Sequence, residues 1–354
     1  MTSPSTESRD TLQEMMSHLA GLPEIYRPSS HWQVLEEKNI SQLRAKGLAN
    51  FKRTINQNYY NWGVFRADDN QLRSALKTFA CHPHGDAFKV VLSGDLFLEG
   101  YFEANPLEDP DSRELYRIFV GMLMNFATRS VPNGLGEKLG ERELGNPIRT
   151  HLHGRLVSQD LGNSLRERNT ICLPFEEGFA SQRGITFVEI GAGYGRLMDM
   201  MLRSCPCRGV IVDLPPALYV SQWYLGTLYA GSKSVFPFRP WRSFAEVERE
   251  LAAADIAFLT PDQFALLPDN YFDAGAAVSN LAEMTPAQAS NYMDMLARKV
   301  RRAVYIKQWI VSPNPVDGYI FRKLDFAMPA PWVTAVDRAD AIQDLFFEAL
   351  WCRN

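Results

Sequence analysis

The 354-residue chain has no long apolar run, no strong excess of charge and too few cysteines for a disulfide framework. Its five cysteines are an odd number without disulfide-like spacing, which favours a reduced, cytoplasmic protein. No apolar run approaches the roughly 20 residues that span a bilayer, and the polar start MTSPSTESRD lacks the apolar centre of a signal peptide. The formal net charge of −4 gives no sign of a nucleic-acid or membrane-surface partner. We therefore expect a soluble cytoplasmic protein.

Apolar periodicity divides the chain into a polar tail, a helical region and an α/β domain. We expect the disordered tail at 1–10, a mainly helical region at 11–150 with an extended connector over 131–165, and an α/β domain at 151–354. From about residue 185 strands and helices alternate, which predicts a mostly parallel sheet with helices on both faces. The expected strands are 185–190, 208–213, 255–259, 273–279 and 303–310, and the expected helices are 194–203, 215–230, 243–253 and 286–299. The late runs WVTAV and FFEALW predict a strand pair that closes one edge antiparallel.

The stretch ITFVEIGAGYGRLMDMML, residues 185–202, predicts a strand, a glycine turn and a helix. A dinucleotide-binding turn has the pattern G-x-G-x-x-G and would need glycine where Arg196 stands. The observed pattern, E-x-G-x-G-x-G, resembles the first motif of class I S-adenosylmethionine-dependent methyltransferases. Glycine permits positive φ and lets main-chain N–H groups approach a ligand, and the start of the following helix suits a carboxylate. The cofactor-binding residues predicted at this turn are Glu189, Gly191, Ala192, Gly193 and Gly195.

Polar side chains follow the next three predicted strands. Asp213 ends the strand GVIVD, where a carboxylate can accept hydrogen bonds from two ribose hydroxyls or can only cap a helix. Asp262 and Gln263 follow the third strand, where they either contact an adenine amino group or only form a turn. The fourth strand ends at the same edge of the sheet. We assign Asp213, Leu214, Asp262, Gln263 and Ser279 to the cofactor and Asn280 to the acceptor.

Longer strings resemble one bacterial family, the sugar O-methyltransferases, from about residue 31 to the end. The most specific strings are FKRTINQNYYNW (51–62) and SQDLGNS (158–164), and the others include GERELGNP (140–147), VDLPPALYVSQWYL (212–225), LAEM (281–284), YIKQW (305–309) and FFEALW (346–351). The resemblance implies a Rossmann-like class I methyltransferase sheet, mostly parallel with an antiparallel edge strand. It also implies S-adenosyl-L-methionine as methyl donor and a sugar or nucleotide-sugar acceptor. The chain departs from the family at Ala282, Ala276 and Ala277, where amide side chains are expected.

Three further groups of residues are assigned to ligands. In SQDLGNS, Gln159 and Asn163 are assigned to the cofactor and Asp160 to the acceptor, although the string also suits a helix start with Ser158 as its cap. Aromatic residues in the string NYYNW can stack on a sugar ring or pack in a core, and side chains that alternate on the fifth strand share a face, where a lysine could pair with a phosphate. These acceptor residues are Tyr59, Trp62, Lys307 and Trp309.

Methyl transfer to a hydroxyl should need a general base, because a hydroxyl is a poor nucleophile at neutral pH. His151 and His153 alternate with Leu152, so both would point to one face of an extended segment. Histidine titrates near neutrality, although the pair could also be surface residues of a connector. The predicted catalytic residues are His153, His151 and Glu283, with Asp160 and Lys307 as further candidates and no metal ligand set.

The expected function is methyl transfer from S-adenosyl-L-methionine to a hydroxyl of a small sugar-like acceptor. The amino-terminal helices would cover the acceptor pocket and could support a homodimer. Two alternatives stay open: N-methylation of an amino sugar or aminoglycoside precursor, and a non-catalytic protein that keeps the cofactor fold to sense a metabolite.

Overall fold

The structure is a computed structural model that describes residues 6–54, 96–98, 110–129, 134–175, 184–314, 318–343 and 345–353. The chain forms two compact units, the first comprising residues 1–41, 170–338 and 346–354 and the second comprising 42–169 and 339–345. The chain passes from one unit to the other after residues 41, 169, 338 and 345. Residues 1–41, which we expected in the amino-terminal region, belong to the unit that contains the glycine turn.

The described residues contain eleven α-helices and thirteen strands. The helices are α1 Thr6–Ala20, α2 Ser30–Lys46, α3 Phe51–Thr54, α4 Pro110–Arg129, α5 Leu135–Lys138, α6 Gln159–Cys172, α7 Arg196–Ser204, α8 Ala217–Leu228, α9 Glu248–Ala253, α10 Pro261–Leu266 and α11 Pro286–Lys299. The strands are β1 Leu96–Leu98, β2 Thr150–Leu152, β3 Arg155–Val157, β4 Ile185–Ile190, β5 Cys207–Val212, β6 Val235–Phe236, β7 Ile256–Leu259, β8 Phe272–Val278, β9 Val300–Trp309, β10 Val311–Pro313, β11 Ile320–Arg322, β12 Val333–Ala339 and β13 Phe346–Cys352. None of these helices is long and apolar enough to cross a membrane.

An eight-stranded sheet with the order β12-β13-β9-β8-β4-β5-β7-β6 is the framework of the first unit. Parallel pairing joins β6, β7, β5, β4, β8 and β9, whereas β13 runs antiparallel to β9. The α/β class and the mostly parallel sheet are thus confirmed. The antiparallel strand is not the edge itself, because β12 lies outside it. Since parallel strands bury both faces, β4 and β7 are almost wholly apolar and buried.

Two helices of this unit begin with the same four-residue pattern, T-P-x-Q, at the carboxyl ends of β7 and β8. At α11, the Gln288 N–H donates to Thr285 Oγ1 (3.3 Å) and the Thr285 N–H donates to Gln288 Oε1 (3.1 Å). The same capping box joins Thr260 and Gln263 at α10. This reciprocal pairing satisfies main-chain donors that a helix start would otherwise leave open. Both helices therefore start directly at the edge where the glycine turn lies.

The segment that we expected as an extended connector is folded within the second unit. Leu152 pairs with Arg155 across a hairpin whose two-residue turn is His153-Gly154. Both turn residues have positive φ, 50° and 72°, as a type I′ turn requires. The helix α6 begins two residues after the hairpin. The chain is therefore extended in the two strands, as expected, but turns at His153-Gly154 and becomes helical from Gln159.

Candidate functional site

The glycine turn lies at the carboxyl end of β4, in the middle of the sheet. Its three glycines have φ of 62°, 59° and 87°, which residues with a Cβ rarely adopt. Their N–H groups are all bonded within the protein: Gly191 to Val212 O (2.8 Å), Gly193 to Asp213 Oδ2 (2.8 Å) and Gly195 to Ala192 O (3.0 Å). These three N–H groups are therefore not the donors to a ligand that we expected.

The Asn280 side chain packs against the glycine turn. Its Nδ2 donates to Ile190 O (2.5 Å), and its Oδ1 accepts from Gln308 Nε2 (3.3 Å). A Cβ added to Gly191 would lie 2.1 Å from Asn280 Nδ2, so only glycine fits above this side chain. Because the amide is buried and bonded at both ends, its prediction as an acceptor contact is corrected to a support for the glycine turn.

Asp213 joins the turn to the neighbouring strand. Its Oδ2 accepts from the Gly193 N–H (2.8 Å) and its Oδ1 from the Leu214 N–H (2.7 Å). Burial raises the pKa of this carboxyl to about 7, although both main-chain hydrogen bonds act to lower the pKa. The carboxyl has no cation among the partners that shift its pKa, and it stays partly exposed. Its remaining lone pairs can accept further hydrogen bonds.

Glu283 ends a short 3₁₀ helix, Leu281–Glu283, that directly follows β8. Burial and then the charge of Asp213 raise the pKa of its carboxyl to about 8. Burial and then the charges of Asp213, Tyr26 and Asp262 also raise the pKa of Tyr292. Such interactions require proximity, so these five groups lie around one place at the carboxyl edge of the sheet.

Asp262 and Gln263 begin α10 after β7. Asp262 Oδ2 lies 3.0 Å from His18 Nε2, and its Oδ1 accepts from the Thr260 hydroxyl (2.6 Å). Burial acts to raise the pKa of Asp262, but these hydrogen bonds outweigh it and hold the pKa below its usual value. Gln263 caps the helix with Oε1 and donates from Nε2 to Arg239 O (2.8 Å). Its side chain is thus fully buried and engaged, so the prediction of an adenine contact is corrected to a capping role.

Ser279, Lys307 and Trp309 lie at the ends of β8 and β9. Ser279 has a φ of 54°, and its N–H donates to Lys307 O (2.7 Å). Lys307 and Trp309 share one face, as their alternation predicts: Lys307 Nζ lies 5.8 Å from the centre of the Phe346 ring, and the Trp309 ring lies 4.2 Å from it. Lys307 is only 1% exposed, so its burial argues against the contact with an acceptor phosphate.

The two most specific strings of the family resemblance, and a third string, GERELGNP, meet at one carboxylate in the second unit. Lys52 Nζ donates to Glu141 Oε1 (2.5 Å), and the Ser158 hydroxyl donates to Glu141 Oε2 (2.5 Å). Lys52 also donates to Arg142 O (3.2 Å). All three side chains are buried or nearly so. This shared network gives the three strings a structural role, since a buried charge requires a partner.

The helix α6 carries the residues of SQDLGNS and is buried although it is polar on all sides. Ser158 caps it, accepting from the Leu161 N–H (3.0 Å). Gln159, Asp160 and Asn163 are all at least nine-tenths buried. Among the residues that the structure describes, neither the oxygen nor the nitrogen of the Asn163 amide has a hydrogen-bond partner. A buried amide of this kind requires a water molecule or a ligand, so Asn163 stays a candidate binding residue.

The two candidate histidines also belong to the second unit. His151 lies on β2, whereas His153 occupies the left-handed first position of the hairpin turn and is exposed. Because the chain turns at His153, the alternation that would place both side chains on one face does not hold. The paired-histidine interpretation is therefore corrected. Tyr59 and Trp62 lie outside the described residues.

Sequence reasoning missed four residues at the carboxyl edge of the sheet: His18, Tyr26, Ser29 and Tyr292. The Ser29 hydroxyl donates to Glu283 O (2.8 Å), across 254 positions of sequence. No local pattern announces such a contact. The capping box T-P-x-Q, in contrast, is visible in the sequence and predicts that Gln263 and Gln288 serve helix starts.

No family model matches the sequence, and a sequence search of curated proteins also finds no match. Among solved structures, the magnesium protoporphyrin IX methyltransferase of Synechocystis PCC 6803, with bound SAM, is 12% identical with a TM-score of 0.35 and covers 54% of this chain and 84% of its own. A SAM-dependent methyltransferase from Aquifex aeolicus is 12% identical with a TM-score of 0.29 and covers 50% and 86%. The 1,6-didemethyltoxoflavin-N1-methyltransferase of Burkholderia thailandensis is 13% identical with a TM-score of 0.32 and covers 52% and 78%. At these TM-scores the fold class rests on the chain's own strand order.

Proposed function

We propose that this chain is an S-adenosylmethionine-dependent methyltransferase that acts on a hydroxyl of a sugar or nucleotide-sugar-like acceptor. The observation that carries the proposal is the glycine turn at the carboxyl end of β4. Its three glycines adopt positive φ, and the carboxylate that follows the next strand bonds to its middle residue. Ligands of parallel α/β sheets bind at this edge, outside the carboxyl ends of the strands.

The residues at this edge fit the cofactor. The partly exposed carboxylate of Asp213 uses one oxygen for each of two N–H donors and has lone pairs left for two ribose hydroxyls. Gly191 can carry no Cβ because the Asn280 side chain fills that side, so Asn280 fixes the position of the turn. Leu214 and Asp262 would flank the adenine, and Glu189 would serve the methionine end. When bound, the cofactor supplies an activated methyl group.

Glu283 is the general base that we favour. It is the one of the three predicted catalytic residues that lies in the same unit as the glycine turn. Its carboxyl is partly exposed, and burial raises its pKa to about 8. A base is most effective when its pKa lies near the working pH, and it then contributes about 10²–10⁴-fold to the rate. A carboxyl of this kind supports transfer to oxygen, because an amine needs less help from a base.

Calorimetric titration of the full chain with S-adenosylhomocysteine, and separately with NADH, tests the cofactor. We expect binding of the first and none of the second, because the turn lacks the third glycine of the dinucleotide pattern. Binding of NADH instead of S-adenosylhomocysteine would overturn the proposal.

The acceptor class is tested by a screen of sugar nucleotides and amino sugars for a mass increase of one methyl group. With an acceptor in hand, we expect Glu283→Gln to slow transfer by about 10²–10⁴-fold. A variant that is barely slowed would instead favour N-methylation of an amine. Tight binding of the cofactor without turnover of any acceptor in the screen would favour a sensing role.

A further inference from the structure

An amino-terminal segment lies across the carboxyl edge of the sheet in the first unit. We call residues 15–29 the strap. It contains the last turn of α1 and a 3₁₀ helix, Glu24–Tyr26, and it ends where α2 begins. Met15 and Leu19 are buried, which fixes the first end of the strap. The same unit contains the glycine turn.

Hydrogen bonds fix the strap to the sheet edge at three points. His18 Nε2 lies 3.0 Å from Asp262 Oδ2, just after β7. Gln288 Nε2, in the first turn of α11, donates to Arg27 O (2.7 Å) and to Glu24 O (3.2 Å). The hydroxyl of Ser29 donates to Glu283 O (2.8 Å), just after β8. Every partner therefore belongs to a segment that follows a strand at its carboxyl end.

The middle of the strap packs against the same sheet. Tyr26 is partly buried and packs against the hydrophobic core of the sheet. Burial and then the charges of Asp213, Tyr26 and Asp262 raise the pKa of Tyr292, which places these groups near one another. The strap does more than cover apolar side chains, because Ser29 also bonds the main chain of Glu283, the candidate base.

We propose that the strap is one wall of the ligand cleft and that Ser29 is a positioning residue for Glu283. The identity of the ligand rests on the proposed function, whereas the contacts of the strap do not. Through Glu283 O, the Ser29 hydroxyl fixes the short helix Leu281–Glu283 and so the direction of the Glu283 side chain.

Hydrogen–deuterium exchange of the full chain, with and without S-adenosylhomocysteine, tests the wall. Peptides that cover the strap and the glycine turn are compared, because bound ligand slows exchange in the segments that close around it. We expect exchange to slow by about tenfold or more in both segments. Protection of the turn without the strap would overturn the strap proposal and leave the proposed function standing. Protection of neither would overturn the proposed function and the strap with it.

Ser29→Ala tests the positioning role, with Ser30→Ala as a matched control. The Ser30 hydroxyl is buried but has no hydrogen-bond partner within the protein, so its removal costs no bond. We expect Ser29→Ala to speed exchange in the strap by about tenfold, the effect of one lost hydrogen bond. Ser30→Ala should change it little, and Ser29→Thr should restore slow exchange because threonine keeps the hydroxyl.

The pH profile separates positioning from general stability. Because Asp213 titrates near pH 7, the titration of Glu283 near pH 8 is taken from the difference between the wild-type protein and Glu283→Gln in the pH dependence of the affinity for S-adenosylhomocysteine. Water that reaches Glu283 in Ser29→Ala should move this midpoint to lower pH, and Ser29→Thr should return it. Ser29 also receives a long hydrogen bond, 3.5 Å, from the Trp32 N–H at the start of α2. A loss of thermal stability in Ser29→Ala without any movement of the midpoint would reduce Ser29 to a helix cap and overturn its positioning role.

Discussion

Asp273 and Asp213 stand at opposite edges of one sheet, each on a strand that neighbours β4. At the amino edge, Asp273 accepts hydrogen bonds from Arg301 Nε (2.7 Å) and from the N–H (2.8 Å) and hydroxyl (3.0 Å) of Thr186. Burial acts to raise its pKa, but these partners outweigh burial and hold the pKa below its usual value. Asp213 has only two main-chain donors, and burial raises its pKa to about 7.

The same contrast separates two further carboxyls of these edges. Asp255, just before β7, accepts from the Ser234 N–H (2.8 Å) and hydroxyl (2.9 Å), and these bonds hold its pKa low. Glu283, just after β8, has a pKa raised to about 8. At the amino edge Asp273 and Asp255 are both paired, whereas at the carboxyl edge Asp213 and Glu283 are incompletely compensated and Asp262 is paired with His18 and Thr260. Strongly perturbed groups in a cleft are typical of functional sites.

Gly191→Ala should have the largest effect at the carboxyl edge. The new Cβ would lie 2.1 Å from Asn280 Nδ2, whose position is fixed by Ile190 O, and alanine is strained at a φ of 62°. We expect the turn to move and the affinity for S-adenosylhomocysteine to fall by about 100-fold or more, since displacements of 1 Å have effects of this size. Calorimetry measures the affinity.

Gly231→Ala is the control for this variant. Gly231 also has a positive φ, 74°, but a Cβ there would meet nothing within 4 Å. It should therefore cost only the backbone strain, about 1–2 kcal/mol of the free energy of unfolding, and leave the affinity unchanged. Equal affinities in Gly191→Ala and the wild-type protein would show that the fit of Asn280 beneath the turn is unimportant.

Asp273→Asn should affect stability rather than binding. The buried Asp273 loses its charged hydrogen bond to Arg301 and keeps one acceptor oxygen for Thr186. We expect the free energy of unfolding at pH 7 to fall by about 1–3 kcal/mol, measured by urea unfolding, with no change in the affinity for S-adenosylhomocysteine. At the same edge, the exposed pair of Asp269 and Arg298 (3.9 Å) provides the comparison: Asp269→Asn should cost about 0–1 kcal/mol. A weaker affinity for S-adenosylhomocysteine in Asp273→Asn would show that the amino edge also contributes to binding, which contradicts the comparison.

The strands of this sheet could be predicted because each is a short apolar run buried on both faces. The expected strand at 185–190 is observed as Ile185–Ile190, and the expected helix at 286–299 as Pro286–Lys299. Where polar residues are buried, as in α6, periodicity carries no such information. The hairpin at His153-Gly154 was missed, although a glycine at the second position of a two-residue turn is its usual signal.

Only the glycine turn and Asp213 of the candidate site could be predicted from the sequence. The glycine turn and Asp213 follow directly from the pattern of strand ends. Asn280 and Gln263 are amide residues at strand ends. From the sequence alone, an amide that binds a ligand cannot be distinguished from one that bonds a neighbouring loop. The contact of Ser29 with Glu283 depends on packing across 254 positions, which the sequence does not encode locally.

The smallest expected effect is a difference in pH dependence between the two edges. Carboxyls of an unfolded chain titrate near pH 4. Asp213 and Glu283, with raised pKa values of about 7 and 8, keep their protons to higher pH when the protein is folded. Their contribution to stability is therefore complete below about pH 4 and is lost as the pH rises through 7 and 8. Asp273 and Asp255, with lowered pKa values, contribute above pH 4 and lose their contribution as the pH falls below it.

Glu283→Gln isolates one group of the carboxyl edge, because glutamine resembles the protonated acid but cannot titrate. Urea unfolding at pH 5, 6, 7 and 8 should show that the free energy of unfolding falls less steeply with pH in the variant than in the wild-type protein. The difference in slope should stay below about 1.4 kcal/mol per pH unit, the limit for one titrating group. Asp273→Asn should leave the slope between pH 5 and 8 unchanged, since Asp273 is ionised throughout that range in both the folded and the unfolded chain. Parallel curves for the wild-type protein and Glu283→Gln would mean that Glu283 is as well hydrated as a surface carboxyl. The contrast between the edges would then rest on Asp213 alone.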